Sequence, residues 1–160
     1  MADDQRTSDL GAIYTQRPIG DTFRISFMAN SLVLPVYEQI KRRHGLNRGE
    51  YLLIHSLSIV PEMTAQEVAR MSGRPRNSIS RAVHRMVEGG YVRRVPDPDD
   101  GRQATLTITD SGRNLVREIL PLFEARQEQL LGVLNVGERR QLDALLDKLY
   151  SATLASAHAP

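Results

Sequence analysis

Cysteine is absent from all 160 residues, which excludes disulfides, cysteine-ligated zinc and thiol-based redox sensing. No apolar run approaches the ~20 residues needed to cross a bilayer. The first nine residues, Met-Ala-Asp-Asp-Gln-Arg-Thr-Ser-Asp, are acidic and polar, the wrong composition for a secretion signal, so a cytoplasmic location is expected by default. Enzyme signatures are missing too. There is no Gly-x-Gly-x-x-Gly, no Walker loop and no Gly-x-Ser-x-Gly, and the acids gather in one exposed Pro/Gly turn, so neither catalysis nor a cofactor is expected. His44, Glu50 and His55 lack the i, i+4 spacing that sets two metal ligands on one helical turn, and His158 lies in the terminal tail, so no metal site is expected. Lysine is nearly missing, with Lys41 and Lys148 alone. Arginine suits bidentate phosphate and guanine contacts. The bias extends to Arg139 and Arg140, however, so genome-wide codon use explains it better than a binding site does.

What the chain does have is concentrated in residues 64–112. Thr64 and Glu67 form a capping box that opens a short helix to Met71. Ser-Gly-Arg-Pro at 72–75 breaks it, and Pro75 suits the first turn of a new helix, where no backbone N–H is needed. In that second helix Ile79, Ala82, Val83 and Met86 repeat at i, i+3, i+4, i+7. The opposite stripe is Asn77, Ser78, Arg81, His84 and Arg85, the face expected of a recognition helix. Gly89 and Gly90 stop it. A strand follows over 91–95, then the turn Pro-Asp-Pro-Asp-Asp-Gly, then a strand over 102–109 with Ala104, Leu106 and Ile108 on one side. A hairpin attached to a helix-turn-helix is a winged helix.

Charge points the same way. Residues 69–94 hold seven arginines (70, 74, 76, 81, 85, 93 and 94) against one acid, Glu88, a balance of +6; the whole chain is +2, leaving −4 elsewhere. A basic module in an acidic body is the footprint of phosphate contact.

Residues 1–20 show no apolar period and are expected to form a flexible arm. Asp21 is placed to cap a helix to about residue 44, with a kink or break at Pro35. Asn47 and Glu50 form a second capping box, for a helix to residue 59. A long helix should start at Asp110 and be interrupted near Pro121, and Asn135 with Glu138 opens the last one. Apolar residues line both stripes of the first helix and recur at 142, 145, 146 and 149 of the last. The winged core at 47–109 does not need them. They would be covered by a second copy of the chain or, alternatively, by an antiparallel cap within one copy. The expected fold is therefore mainly α with a small β-hairpin wing, an α+β arrangement. Residues 21–46 and 110–160 supply a dimerisation region around a winged helix-turn-helix core.

Met-Val-Glu-Gly-Gly-Tyr-Val-Arg-Arg at 86–94, Asp-Pro-Asp-Asp-Gly-Arg at 97–102 and Leu-Thr-Ile-Thr-Asp-Ser-Gly at 106–112 together resemble the MarR family of bacterial transcriptional regulators. The resemblance spans roughly residues 21–156, and the wing is its most specific part. It implies an Asp-x-Arg pair in the wing, matched by Asp100 and Arg102, and a Leu-Thr-x-x-Gly run, matched with Ile at 108. Two positions depart from the pattern: Asp99 stands where the family often has an arginine, and Arg74 occupies a turn position that is usually apolar.

The site expectations follow. Asn77 would pair with adenine, while Arg76 and Arg81 would reach guanine or phosphate. Arg74, Ser78 and Ser80 would set position on the backbone, with His84 and Arg85 on the same face. Arg93 and Arg94 are phosphate candidates, and Arg102 would enter the minor groove. The resemblance further implies a repressor, dimeric on a pseudo-palindromic double-stranded DNA operator, released by a small aromatic or phenolic-type organic ligand. Phe23, Arg24, Phe27, Met28, Tyr37, Tyr51 and His55 are the candidate lining of that effector site. The contrasting expectation is a winged helix used for protein–protein contact, without an effector site or DNA.

Overall fold

The computed structural model describes residues 20–96 and 104–157. In chain order it has α1 (Gly20–His44), α2 (Arg48–Ile59), β1 (Glu62–Thr64), α3 (Ala65–Ser72), α4 (Arg76–Glu88), β2 (Val92–Pro96), β3 (Ala104–Ile108), α5 (Asp110–Leu131) and α6 (Val136–Ala157). Residues 1–19 of the arm expected over 1–20, the wing residues Asp100 and Arg102, and His158 lie outside the described residues, while Gly20 already belongs to α1. No described helix is long and apolar enough to cross a membrane.

The capping residues act as their spacing predicts. Asn47 accepts from the backbone N–H of Gly49 (2.8 Å) and Glu50 (3.1 Å), while Glu50 accepts from the N–H of Asn47 (2.8 Å). Thr64 and Glu67 repeat the pattern at α3. The backbone N–H of Thr64, and then its hydroxyl, hold the Glu67 carboxyl below the usual carboxylate range.

Five local expectations need correction. The sheet has three strands, not two, in the order β1-β3-β2. β1 pairs antiparallel with β3, Met63 opposite Leu106, and β2 pairs with the other edge of β3, Val92 opposite Ile108. Three residues are too few to display a period of two, so β1 was invisible to pattern. α5 continues through Pro121, where an interruption was expected, and α1 continues through Pro35, so the break allowed for there is absent; both prolines are exposed. On an exposed side the carbonyl displaced by a proline ring can turn to water, so a loss that would stop a buried helix is tolerated. Asp21 sits inside the first turn of α1, and Pro75 sits one residue before α4 rather than in its first turn.

Contacts divide the chain into a unit ending at Phe123 and a unit Glu124–Pro160. The core of the first is one cluster. Leu53, Ile54 and Leu57 of α2, Val68 of α3, Ile79, Ala82 and Met86 of α4 and Leu106 of β3 meet Val36 and Ile40 of α1 and Leu115, Val116 and Ile119 of α5. The apolar stripe read on α4 is buried throughout, at Ile79, Ala82, Val83 and Met86. The first half of α1 differs: residues 21–30 are all exposed, Phe23, Ile25, Phe27 and Met28 among them. In the second unit Asn135 and Glu138 cap α6, and Arg139 bridges back to Glu128 (2.9 Å) and to the carbonyl of Leu131 (3.0 Å). Leu145, Leu146, Leu149 and Tyr150 of α6 are exposed.

Candidate nucleic-acid interface

The turn between α3 and α4 sets which face of α4 points outward. α3 ends on Gly73 in the left-handed region (φ +62°), with Arg74 donating its N–H to the Ala69 carbonyl (3.2 Å) and Gly73 donating to Arg70 (3.4 Å). Glycine takes that backbone geometry without a Cβ penalty. α4 then starts at Arg76 with no acid in its first turn, so no acid within that turn offsets Arg76.

That face is solvent-exposed at Arg76, Asn77, Ser80, Arg81, His84 and Arg85, and partly covered at Ser78. The buried stripe described above holds the helix from behind. The structure therefore brings most of the expected reading residues onto one accessible surface. Two of them are engaged within the chain. His84 lies 3.1 Å from Glu88 one turn on, and Arg85 forms an ion pair with Glu50, the one charged residue buried among the described residues. The Glu50 pair had no sequence signal beyond the capping box.

Beside α4 is an open cleft of about 630 Å³, lined by Asn47 and Arg48 of the α2 start, Arg74 of the turn, and Ser78, Arg81, Ala82, His84 and Arg85 of α4. Its lining has four arginines and no acid. Asn47 and Arg48 were not anticipated there, because their helix lies far from the turn in sequence. The Nε of Arg74 is buried with no partner among the described residues. Arg93 and Arg94 stand exposed on β2, opposite Thr107 and Leu106 of β3.

The far end of α4 is locked to the long helix. Tyr91 donates its N–H to the Met86 carbonyl (2.9 Å) and Gly90 donates to Val87 (3.0 Å), closing the last turn. Thr109 donates its N–H to the Tyr91 carbonyl (3.0 Å) and its hydroxyl to the Gly90 carbonyl (2.7 Å), and accepts from the N–H of Gly112 (3.1 Å). A Cβ on Gly112 would stand 2.3 Å from the Tyr91 carbonyl oxygen. The Thr-x-x-Gly run thus joins the end of α4 to the start of α5.

The expected effector residues separate into two groups. Tyr37, Tyr51 and His55 converge with Phe123 of α5, which was not among the expected residues. Tyr51 stacks on Phe123 (centroids 5.0 Å apart, 20° between planes) and on His55 (5.5 Å, 14°), while Tyr37 meets Phe123 edge-on at 5.7 Å. The Arg48 guanidinium lies over the Tyr37 ring, 5.1 Å from its centroid. Burial pushes the Tyr51 phenol up to about 12, with Tyr37 adding to the effect, and pushes the His55 imidazole below its ordinary value. The Nδ1 of His55 is buried with no partner among the described residues. Phe23, Phe27 and Met28 belong instead to the exposed half of α1, where Arg24 lies 3.8 Å from Asp21.

Residues 44–103 match the model of the MarR family. Among curated relatives, the HTH-type transcriptional repressor Rv2887 of Mycobacterium tuberculosis is 25% identical over 107 residues, covering 67% of this chain and 77% of the relative. Solved structures with the same fold include a mutant MarR from E. coli complexed with operator DNA (19% identical, TM-score 0.65, covering 86% of this chain and 96% of that one). Another is BpsR of Bordetella bronchiseptica, described with the regulation of its DNA binding by 6-hydroxynicotinic acid (21% identical, TM-score 0.67, covering 82% and 98%). The chain is thus similar to MarR-family proteins in its winged module, residues 44–103, and shares their fold along most of its length.

Proposed function

We propose that the protein is a transcriptional regulator that binds double-stranded DNA sequence-specifically as a homodimer, and that it is a repressor released by a small aromatic or phenolic ligand. The observation that carries the reading is the exposed, acid-free first turn of α4, with Arg76, Asn77 and Arg81 on a helix whose opposite stripe is wholly buried. A rigid helix with a polar, arginine-rich outer face fits the major groove. Asn77 and Arg81 read bases, Arg76, Ser78 and Ser80 contact bases or backbone, and Arg93 and Arg94 meet flanking phosphates. Arg102 enters the minor groove.

Two copies are needed for two half-sites about one helical turn (~34–36 Å) apart. The exposed apolar faces of α1 and α6 supply the surface that a partner copy would cover. The regulation of BpsR DNA binding by 6-hydroxynicotinic acid supports a ligand-regulated reading of this chain. The aromatic group of Tyr37, Tyr51, His55 and Phe123 is the site at which a planar ligand would act, by binding more tightly to the DNA-incompetent arrangement.

Fluorescence anisotropy against DNA from immediately upstream of the protein's own gene, and against scrambled DNA of equal length, tests this. Tight binding to the first and weak binding to the second is expected, with release by an aromatic acid. Equal weak binding to both would overturn the reading.

A further inference from the structure

Arg85 belongs to the exposed face of α4 and shares its cleft with Arg74 and Arg81, yet its charge is already matched. Its partner, Glu50, is only 2% exposed, whereas the Arg85 side chain is 57% exposed. Glu50 cannot follow Arg85 outward. One of its carboxylate oxygens accepts from the backbone N–H of Asn47 at 2.8 Å, and the other lies against the Arg85 guanidinium as its ion-pair partner. A carboxylate held in a core without its cation is strongly unfavourable, so the pair resists opening.

We propose that Glu50 is a specificity-determining, positioning residue: it holds Arg85 back from the DNA phosphates, so that α4 makes one sequence-blind contact fewer. The inference rests on the DNA-binding reading above. Its physical basis is that phosphate contacts raise affinity for every sequence alike, while base contacts discriminate. An arginine neutralised from behind adds little to the first kind of contact and leaves discrimination to Asn77 and Arg81.

The test uses the full chain with the upstream DNA fragment of the preceding experiment and its scrambled counterpart. The dependence of affinity on salt is measured for wild type, Glu50→Gln and the double variant Glu50→Gln/Arg85→Gln. Glutamine keeps an acceptor for Asn47 and removes the charge. Releasing one arginine to a phosphate steepens the log–log salt slope by about 0.9, so Glu50→Gln should lose roughly eightfold more affinity than wild type per tenfold rise in salt. Its low-salt affinity should rise more for scrambled DNA than for the upstream fragment. The double variant should return to the wild-type slope, and it carries the test by itself should Glu50→Gln lose its fold by circular dichroism. An unchanged slope in folded Glu50→Gln overturns the proposal. So does a double variant shallower than wild type by about 0.9, which would mean that Arg85 already grips a phosphate. If wild type binds neither DNA, it is the DNA-binding reading that fails.

Discussion

Gly112 shows how a single missing atom fixes a joint. The space its Cβ would need is occupied by a backbone carbonyl, that of Tyr91, and by the side chain of Ile108. Neither is the far end of a flexible side chain, so a methyl group there forces α5 away from the end of α4. Gly112→Ala is expected to destabilise the fold by about 1–3 kcal/mol, in the range of overpacking, measured as a lowered urea midpoint at unchanged slope. His55 gives a second, pH-dependent expectation. Burial lowers its folded pKa, so between that value and the ordinary 6.5 the unfolded chain binds more protons than the folded one. The contribution of neutral His55 is therefore full above about 6.5 and is lost as pH falls toward the folded value. Urea midpoints of wild type and His55→Phe, taken from pH 7.5 to 5.5, should show the wild type losing ground on the variant as the solution acidifies. Parallel profiles would mean that His55 is not linked to folding.

Among the elements, α3 is the one whose start does two jobs. Thr64 ends β1, where it pairs with Thr105, and it also caps α3 by accepting from the N–H of Glu67 at 3.2 Å. Removing the hydroxyl in Thr64→Ala should cost about 1 kcal/mol, within the range of N-cap replacements, read by thermal or urea unfolding. Thr64→Ser, which retains the acceptor, should recover most of it. An eight-residue helix has little intrinsic stability, so its ends and its buried Val68 and Ala69 decide whether it forms. The same logic explains why α4 tolerates having no side-chain cap: four buried apolar residues along 13 positions hold it.

At the scale of the whole molecule, the apolar surface left outside the core is the main feature. Phe27 (52% exposed) and Met28 (51%) on α1, and Leu145 (59%) and Leu149 (54%) on α6, are too numerous and too regularly spaced for scattered surface residues. A second copy of the chain is the occupant proposed above. Leu145→Glu/Leu149→Glu should convert a dimer into a monomer in sedimentation equilibrium. Because each half-site alone is a weaker target, it should also reduce affinity for an intact operator by at least tenfold. A variant that stays dimeric and binds as wild type would remove α6 from the interface.

Local rules determined much of this protein before any packing was known. Capping boxes at Asn47, Thr64 and Asn135, the helix stop at Gly89 and Gly90, and the stripe of Ile79, Ala82, Val83 and Met86 are all short-range, and each stands where its spacing predicts. The exposed polar face of α4 followed from them, because the polar side of a helix is fixed once its buried side is known. Tertiary structure decided what depended on distant partners. β1 exists only because β3 offers it an edge. α5 and α1 cross their prolines because those positions face solvent. Phe123 joins Tyr37 and Tyr51 only because α5 is brought against α1 and α2 in the same core. The ion pair of Glu50 with Arg85 is the sharpest case, linking residues 35 positions apart. Spacing along one helix could identify Glu50 as a cap, but only the packing of α2 beside α4 could turn it into a counter-charge.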